Sequence, residues 1–143
     1  MATILKKKDA RRDPKTGLAQ GLCAATVSGL SPGFTLAHNI MPPGYRSPTH
    51  SHTKVCRGTY VAKGRIRFYF GTPDNPQIID AEEGDYIYTP LGEIHSQLNL
   101  SATDTAEYVS TYVGESDRSA LGTVPAQDIP DTGRINDANI SVK

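Results

Sequence analysis

The chain has 143 residues, a length that fits a single domain, and its 15 lysines and arginines balance its 15 aspartates and glutamates. A neutral total argues against a dedicated nucleic-acid-binding protein, and no apolar stretch approaches the ~18 residues that a membrane-spanning helix needs. Two cysteines are too few for a disulfide scaffold, and no apolar segment follows the charged N-terminal residues as in a secretory signal, so we expect a cytoplasmic protein.

Apolar and polar residues alternate along most of the chain, which is typical of half-buried β-strands, and no segment of useful length repeats apolar residues at helical spacing. Residues 1–19 precede this pattern and predict an irregular N-terminal arm. The strands predicted next are, in chain order, Leu22–Val27, Thr35–Met41, Gly58–Ala62, Arg65–Phe70, Gln77–Asp80, Asp85–Thr89, His95–Leu100 and Glu107–Val113. Residues 115–143, rich in Ser, Asp, Gly and Pro, predict an irregular C-terminal tail. Short strands separated by turn residues predict one all-β sandwich or barrel over residues 20–114.

The neutral total charge hides an uneven distribution along the chain. From Pro14 to Pro73 the sequence contains no aspartate or glutamate, although several lysines and arginines fall in that window. Either folding interleaves the two halves so that the charges cancel on the surface, or this segment forms a positive zone for an anionic ligand.

Four histidines are candidates for chemistry, and His50-Ser51-His52 is the most informative group. Two residues separated by one lie on the same face of a strand, so the imidazoles of His50 and His52 can converge on one point. A third, His95, lies in a later predicted strand. His38 is predicted to be a structural histidine. The fixed positions around the three are, with the number of intervening residues, Gly44-5-His50-1-His52-4-Arg57-6-Gly64 and Gly84-5-Pro90-1-Gly92-2-His95-3-Asn99.

These two spacings resemble the motifs of the cupin superfamily, G-x5-H-x-H-x3-4-E-x6-G and G-x5-P-x-G-x2-H-x3-N. The resemblance covers about residues 20–113 and implies a jelly-roll barrel with a metal inside, held by His50, His52 and His95. Neutral imidazoles suit one divalent transition metal per chain, iron first, with Mn, Ni, Zn or Cu as alternatives. The other interpretation is a cupin without metal, in which these histidines bind a ligand directly or fill the core.

Arg57 stands where the family usually has glutamate, and the window without carboxylates allows no acidic ligand in the first motif. A cation that faces a metal is disfavoured by Coulomb repulsion unless an anion lies between them. Three accounts remain open. The three histidines hold the metal and Arg57 binds an anionic substrate, or Cys56 turns inward as a thiolate ligand instead of Arg57, or the metal site has been lost.

Cupins with three histidines and no glutamate include dioxygenases, so the resemblance implies an enzyme of dioxygenase type, or a related oxidoreductase or lyase, acting on a small anionic or enolisable molecule. Arg57 would pair with the substrate. Gln97 shares a strand face with His95 and would orient substrate or a metal-bound water, or else make a structural hydrogen bond. The alternatives are a metabolite sensor without turnover and, less favoured, a metal-free sugar-nucleotide epimerase, which needs a histidine base with a carboxylate partner.

The remaining expectations concern partners. We expect a small-molecule substrate and neither a nucleic acid nor a membrane as partner. A homodimer is also predicted, because a jelly roll has sheet edges to protect and the terminal arms are long enough to reach a second chain.

Overall fold

A computed structural model describes residues 2, 4–24, 29 and 32–131, and these residues form eleven strands. The strands are β1 (Arg11–Arg12), β2 (Ala19–Cys23), β3 (Phe34–Met41), β4 (His50–His52), β5 (Cys56–Lys63), β6 (Arg65–Thr72), β7 (Asn75–Glu82), β8 (Tyr86–Thr89), β9 (His95–Asn99), β10 (Ala106–Val113) and β11 (Thr123–Pro125). The described residues also include two 3-10 turns, Lys7–Asp9 and Arg118–Ala120.

The strands form two antiparallel sheets that face each other. The large sheet has the order β1-β2-β3-β10-β5-β8, and the small sheet has the order β11-β4-β9-β6-β7. Strands that are distant in sequence lie side by side, as β3 and β10 do over eight residue pairs. This two-sheet arrangement is a jelly roll, so the predicted all-β class and barrel architecture are confirmed.

Alternation along the strands produces the core between the sheets. On β6, Ile66, Phe68 and Phe70 point inward and are at most 6% exposed, as the sequence pattern predicts. The wider cluster comprises Met41, Val61, Ile66, Phe68, Phe70, Ala81, Ala106 and Tyr108. These residues pack one end of the barrel and leave polar side chains to line the rest of its interior.

The predicted strands all have counterparts, with shifted ends. The strand expected at Leu22–Val27 begins earlier, at Ala19, and its residues 25–27 lie outside the described residues. Within the described chain, no helix is long and apolar enough to cross a membrane.

Both terminal segments carry more structure than the sequence pattern indicated. In the N-terminal arm, β1 pairs with β2, and the Gln20 side chain donates hydrogen bonds to the carbonyl oxygens of Lys7 and Ala10. Residues 115–131, which we call the C-terminal strap, run across the small sheet, where β11 pairs with β4. Ile129 of the strap is fully buried against Tyr69 and Ile78 on the outer face of that sheet. A short strand and one apolar anchor were too weak a pattern to detect in a polar segment.

Candidate metal centre

Three histidine side chains meet inside the barrel. His50 and His52 project from β4, and His95 projects from the neighbouring strand β9, where it is the residue paired with His50. The ligand nitrogens of the three lie within 4.8 Å of one another, and the Nε2 atoms of His50 and His52 are 3.2 Å apart. Among the described residues this is the one group of three or more metal-ligating side chains.

A backbone hydrogen bond joins the loop of the second motif to the histidine strand of the first motif. The backbone N–H of Gly92 donates to the carbonyl oxygen of His52 at 2.8 Å, which ties the loop before β9 to β4. Gly92 has φ 79°, in the left-handed region that glycine adopts without strain. The glycine of the motif is therefore a backbone requirement for bringing His52 and His95 together.

Each of the three imidazoles has a hydrogen-bond partner at its Nδ1 atom. His50 Nδ1 lies 2.7 Å from the carbonyl oxygen of Pro48, and His95 Nδ1 lies 2.8 Å from that of Glu93. Because a carbonyl oxygen only accepts, these two Nδ1 atoms carry the proton and their Nε2 atoms are unprotonated. The Nε2 of His52 is then the donor in its 3.2 Å contact with the Nε2 of His50. His52 Nδ1 lies 3.1 Å from the hydroxyl of Thr123. His95 Nε2 is buried and has no hydrogen-bond partner within the described part of the chain.

The imidazoles are held in the neutral form that binds metals. Burial lowers the pKa of His95 to about 2, and the Arg57 charge contributes in the same direction. Burial also lowers the pKa of His52 to about 3, aided by the neighbouring His50 and Arg57, and the pKa of His50 is lowered mainly by burial as well. A metal ion therefore does not have to displace protons from this site near neutral pH.

This donor set fits a divalent transition metal. Three converging neutral imidazoles suit ions from Mn²⁺ to Zn²⁺, and the fourth protein ligand usual in the first motif is absent among the described residues. The remaining coordination positions would be open to water or substrate. His50, His52 and His95 are the residues that would hold the ion.

Arg57 enters the same interior from the opposite sheet. Along β5, Arg57, Thr59 and Val61 point inward, and Arg57 is only 2% exposed. Its Nε and Nη2 atoms are buried and have no hydrogen-bond partner among the described residues. Cys56 points the other way, with its sulfur 4.0 Å from the carbonyl oxygen of Val113. The account in which Cys56 replaces Arg57 as an inward thiolate is therefore wrong, because the strand keeps its regular alternation.

Gln97 and Asn99 follow His95 on the inward face of β9 but have different surroundings. The Gln97 side chain is buried; its oxygen accepts a hydrogen bond from the Ser47 hydroxyl at 3.1 Å, and its Nε2 has no partner among the described residues. Asn99 Nδ2 lies within 3.1 Å of the carbonyl oxygens of Met41, Pro42 and Asp104. Gln97 thus retains donors for a ligand, whereas Asn99 fixes the surrounding loops.

The cavity beside the histidines contains an excess of cationic side chains. It has a volume of about 810 Å³ and is lined by His50, His52, Arg57, Gln97, Tyr108 and Tyr112, by Arg11, Arg12 and Lys15 of the N-terminal arm, and by Arg118 of the strap. Within the described chain its one lining carboxylate is Asp13, which accepts hydrogen bonds from the Lys15 N–H and the Thr16 hydroxyl. The cavity is therefore positively charged.

Two other polar residues, His38 and Glu93, lie outside this cavity. His38 is on the outer face of β3, with Nε2 2.8 Å from Glu107 Oε2. Glu93 accepts a hydrogen bond from the Gly71 N–H at 3.1 Å.

Thr123 and Arg118 were not identified from the sequence as residues of the site. Both lie in the strap, where the one signal was Gly122 followed by a short extended stretch, Thr-Val-Pro.

Comparison with known proteins agrees with this geometry. Residues 37–112 match the model of the cupin domain family. No curated protein matches the chain by sequence. The computed structural model is similar to solved structures of oxalate oxidase, with 21% identity and a TM-score of 0.64 over 86% of this chain and 63% of the other. It is also similar to Bacillus subtilis oxalate decarboxylase, studied for its Mn(II) centres, with 21% identity and a TM-score of 0.69 over 87% of this chain.

A third similar structure has a different activity. Peruvianin-I, a cysteine peptidase from Thevetia peruviana latex, shares 16% identity with a TM-score of 0.65 over 86% of this chain and 76% of the other. The chain spans only 33% of the oxalate decarboxylase chain. At these identities the likeness concerns the fold, and one fold hosts many activities.

Proposed function

Because this chain belongs to the cupin family, we propose that it is a metal-dependent enzyme that binds a small anionic substrate beside a divalent ion held by His50, His52 and His95. The observation that carries the proposal is the buried guanidinium of Arg57, whose Nε and Nη2 have no partner among the described residues. A buried charge without a partner is costly, so it is expected where a ligand supplies the missing anion.

The side chains around the histidines provide hydrogen-bond donors for such a substrate. Arg57 would hold a carboxylate or an enolate oxygen, and the free Nε2 of Gln97 would donate a second hydrogen bond. Burial raises the pKa of Tyr108 to about 12, so its hydroxyl keeps its proton and remains a donor at the cavity wall. When bound, the metal supplies Lewis acidity and, as iron or manganese, redox chemistry.

The choice of metal and the size of the substrate remain part of the proposal. Iron follows from the resemblance to three-histidine dioxygenases, and the Mn(II) centres of oxalate decarboxylase make manganese the first alternative. The cavity lining extends beyond His50, His52 and Arg57 to the cationic residues Arg11, Arg12 and Lys15 of the N-terminal arm. We therefore favour an anionic substrate large enough to contact both Arg57 and this arm.

The alternatives differ in what the cavity does with its ligand. A non-catalytic metabolite sensor would use the same donors and show binding without turnover. A metal-free sugar-nucleotide epimerase is disfavoured, because the described histidine–carboxylate pair, His38 with Glu107, lies on the outer face and away from the cavity.

The first experiment measures the metal content of the full chain purified without added metal. Calorimetric titration with mono- and dicarboxylates, from oxalate to longer acids, then compares the parent protein with Arg57→Ala. The variant should retain its metal and bind the best anion more weakly by roughly 1.5–3 kcal/mol, the range of a hydrogen bond to a charged group. Arg65→Ala is the matched control, since Arg65 is a surface arginine whose side chain is 64% exposed.

Turnover is tested with the anion that binds best, by oxygen uptake and by product analysis. Stoichiometric metal with substrate-dependent turnover supports the enzyme, and tight binding without turnover supports the sensor. A parent protein that takes up no divalent ion, or an Arg57→Ala variant that binds anions as well as the parent, would contradict the proposal.

A further inference from the structure

One of the three histidines differs from the other two in how its ring is held. His50 and His95 have Nδ1 partners two residues away on their own chain segments, the carbonyl oxygens of Pro48 and Glu93. The Nδ1 partner of His52 is the hydroxyl of Thr123, 71 residues later in the C-terminal strap. The orientation of this ring therefore depends on a segment outside both motifs.

Backbone pairing places Thr123 beside His52. In the β11–β4 ladder Thr123 is the residue paired with His52, and the Thr53 N–H donates to the carbonyl oxygen of Gly122 at 3.0 Å. Gly122 has φ 68°, and a Cβ atom there would collide with the Thr53 hydroxyl. The turn that delivers Thr123 thus requires a glycine at this position.

The strap is fixed on the far side of Thr123 as well. The Thr49 hydroxyl donates to Asp128 at 2.7 Å, and Ile129 is fully buried. Arg46 lies 4.0 Å above the ring of Tyr69 and donates to the carbonyl oxygen of Ile129 at 2.6 Å. The Thr123 hydroxyl is therefore held in place from both directions along the chain.

In the metal-free protein His50 Nε2 is unprotonated, so the His52 Nε2 atom 3.2 Å away carries the proton and His52 Nδ1 accepts from the Thr123 hydroxyl. Were His52 Nε2 to bind a metal, the ring proton would be on Nδ1 and the same hydroxyl would accept it, because a hydroxyl both donates and accepts. The hydroxyl therefore holds the ring in one orientation in both states. We infer that Thr123 is a positioning residue for the metal ligand His52, so that the C-terminal strap completes the metal site. The inference rests on the proposed metal site and adds to it a residue that acts through His52.

The test compares Thr123→Val, which keeps the shape but removes the hydroxyl, with Thr123→Ser, which keeps the hydroxyl. In the full chain, Co²⁺ binding is measured by competition with a chelator. Thr123→Val should raise the Kd about 10-fold, the low end of the effect of such outer partners, because Thr123 is exposed and water can partly replace it. Thr123→Ser should stay close to the parent protein, and thermal unfolding should be nearly unchanged in both variants.

A second measurement does not depend on metal. Nitrogen-15 NMR of the metal-free protein reports which ring nitrogens are protonated or hydrogen-bonded. In Thr123→Val the Nδ1 resonance of His52 should shift, because that nitrogen loses its hydrogen-bond donor, and the resonances of His95 should stay unchanged. Unaltered Co²⁺ affinity together with an unaltered His52 Nδ1 resonance in Thr123→Val would overturn the inference. Failure of the parent protein to bind Co²⁺ would instead contradict the proposed function, and the His52 resonance would still decide the role of Thr123.

Discussion

Replacing Arg57 by methionine should make the ligand-free protein more stable. Arg57 is 2% exposed, and its Nε and Nη2 have no partner among the described residues. Each unsatisfied buried donor costs about 1–3 kcal/mol. Methionine fills a similar elongated space without a charge, so it removes this cost while keeping most of the packing.

The size of the effect follows from the two donors. If water in the cavity recovers part of the loss, the low end of about 1 kcal/mol per donor applies, and the variant should gain about 2 kcal/mol in the free energy of unfolding. For a chain of this size that corresponds to a rise in Tm of roughly 6 °C. The same substitution removes the group that we propose binds the substrate anion, so stability and binding should change in opposite directions.

The assay is thermal and urea unfolding of metal-free protein in a buffer of low anion concentration. Arg65→Met is the matched control, and its effect should stay within about 0.5 kcal/mol because the Arg65 side chain is 64% exposed. Adding the best-binding carboxylate should raise the Tm of the parent protein and leave that of Arg57→Met unchanged. A destabilised Arg57→Met variant, or equal responses to the anion, would refute the argument that Arg57 is an uncompensated charge awaiting a ligand.

Three further predictions concern the metal, pH and assembly. His95→Ala should abolish metal uptake measured by elemental analysis, because two imidazoles rarely hold a divalent ion, whereas His38→Ala on the outer face should retain it. In the metal-free protein the free energy of unfolding should fall as the pH drops below about 6.5. His52 and His95 have pKa values of about 3 and about 2 in the folded protein, so below pH 6.5 these residues take up protons in the unfolded chain and not in the folded one. Urea unfolding should show a loss on the order of 3 kcal/mol at pH 5.5 relative to neutral pH, and a flat profile would contradict this prediction. The protein should be a homodimer, because the outer face of the large sheet exposes apolar side chains such as Tyr86 and Tyr88, which are 79% and 63% exposed. Light scattering should therefore give twice the 15.4 kDa mass of one chain, and a monomeric mass would contradict the dimer.

The sequence predicted the fold and the meeting of the three histidines, because alternation and motif spacing carry both signals. Period-two alternation correctly placed Ile66, Phe68 and Phe70 in the core, and the spacing of His50, His52 and His95 anticipated their meeting. Whether Arg57 or Cys56 pointed inward was undecided, because a single bulge in β5 would have exchanged them. The described strand is regular through both residues, which places Arg57 inside.

The C-terminal strap could not be predicted for a different reason. Its contacts are non-local: Ile129 is buried by Tyr69 and Ile78, and Thr123 meets a histidine 71 residues away. Tyr69 itself lies on the outer face of β6, where alternation predicts exposure, and is fully buried because the strap covers it. A polar segment with one anchor carries no periodic signal, so its role emerges only from the packed structure.

The position of Thr123 has a practical consequence for protein engineering. The matched family region ends at residue 112, so a recombinant fragment trimmed to that boundary would keep both motifs and all three histidines. It would nevertheless lack the hydroxyl behind His52 and the apolar side chain of Ile129 that covers the small sheet. Conversely, in the proposed metal site substitutions at residue 123 would change the donor strength of His52 while all three histidines stay in place. The C-terminal strap would then adjust the properties of the metal independently of the two motifs.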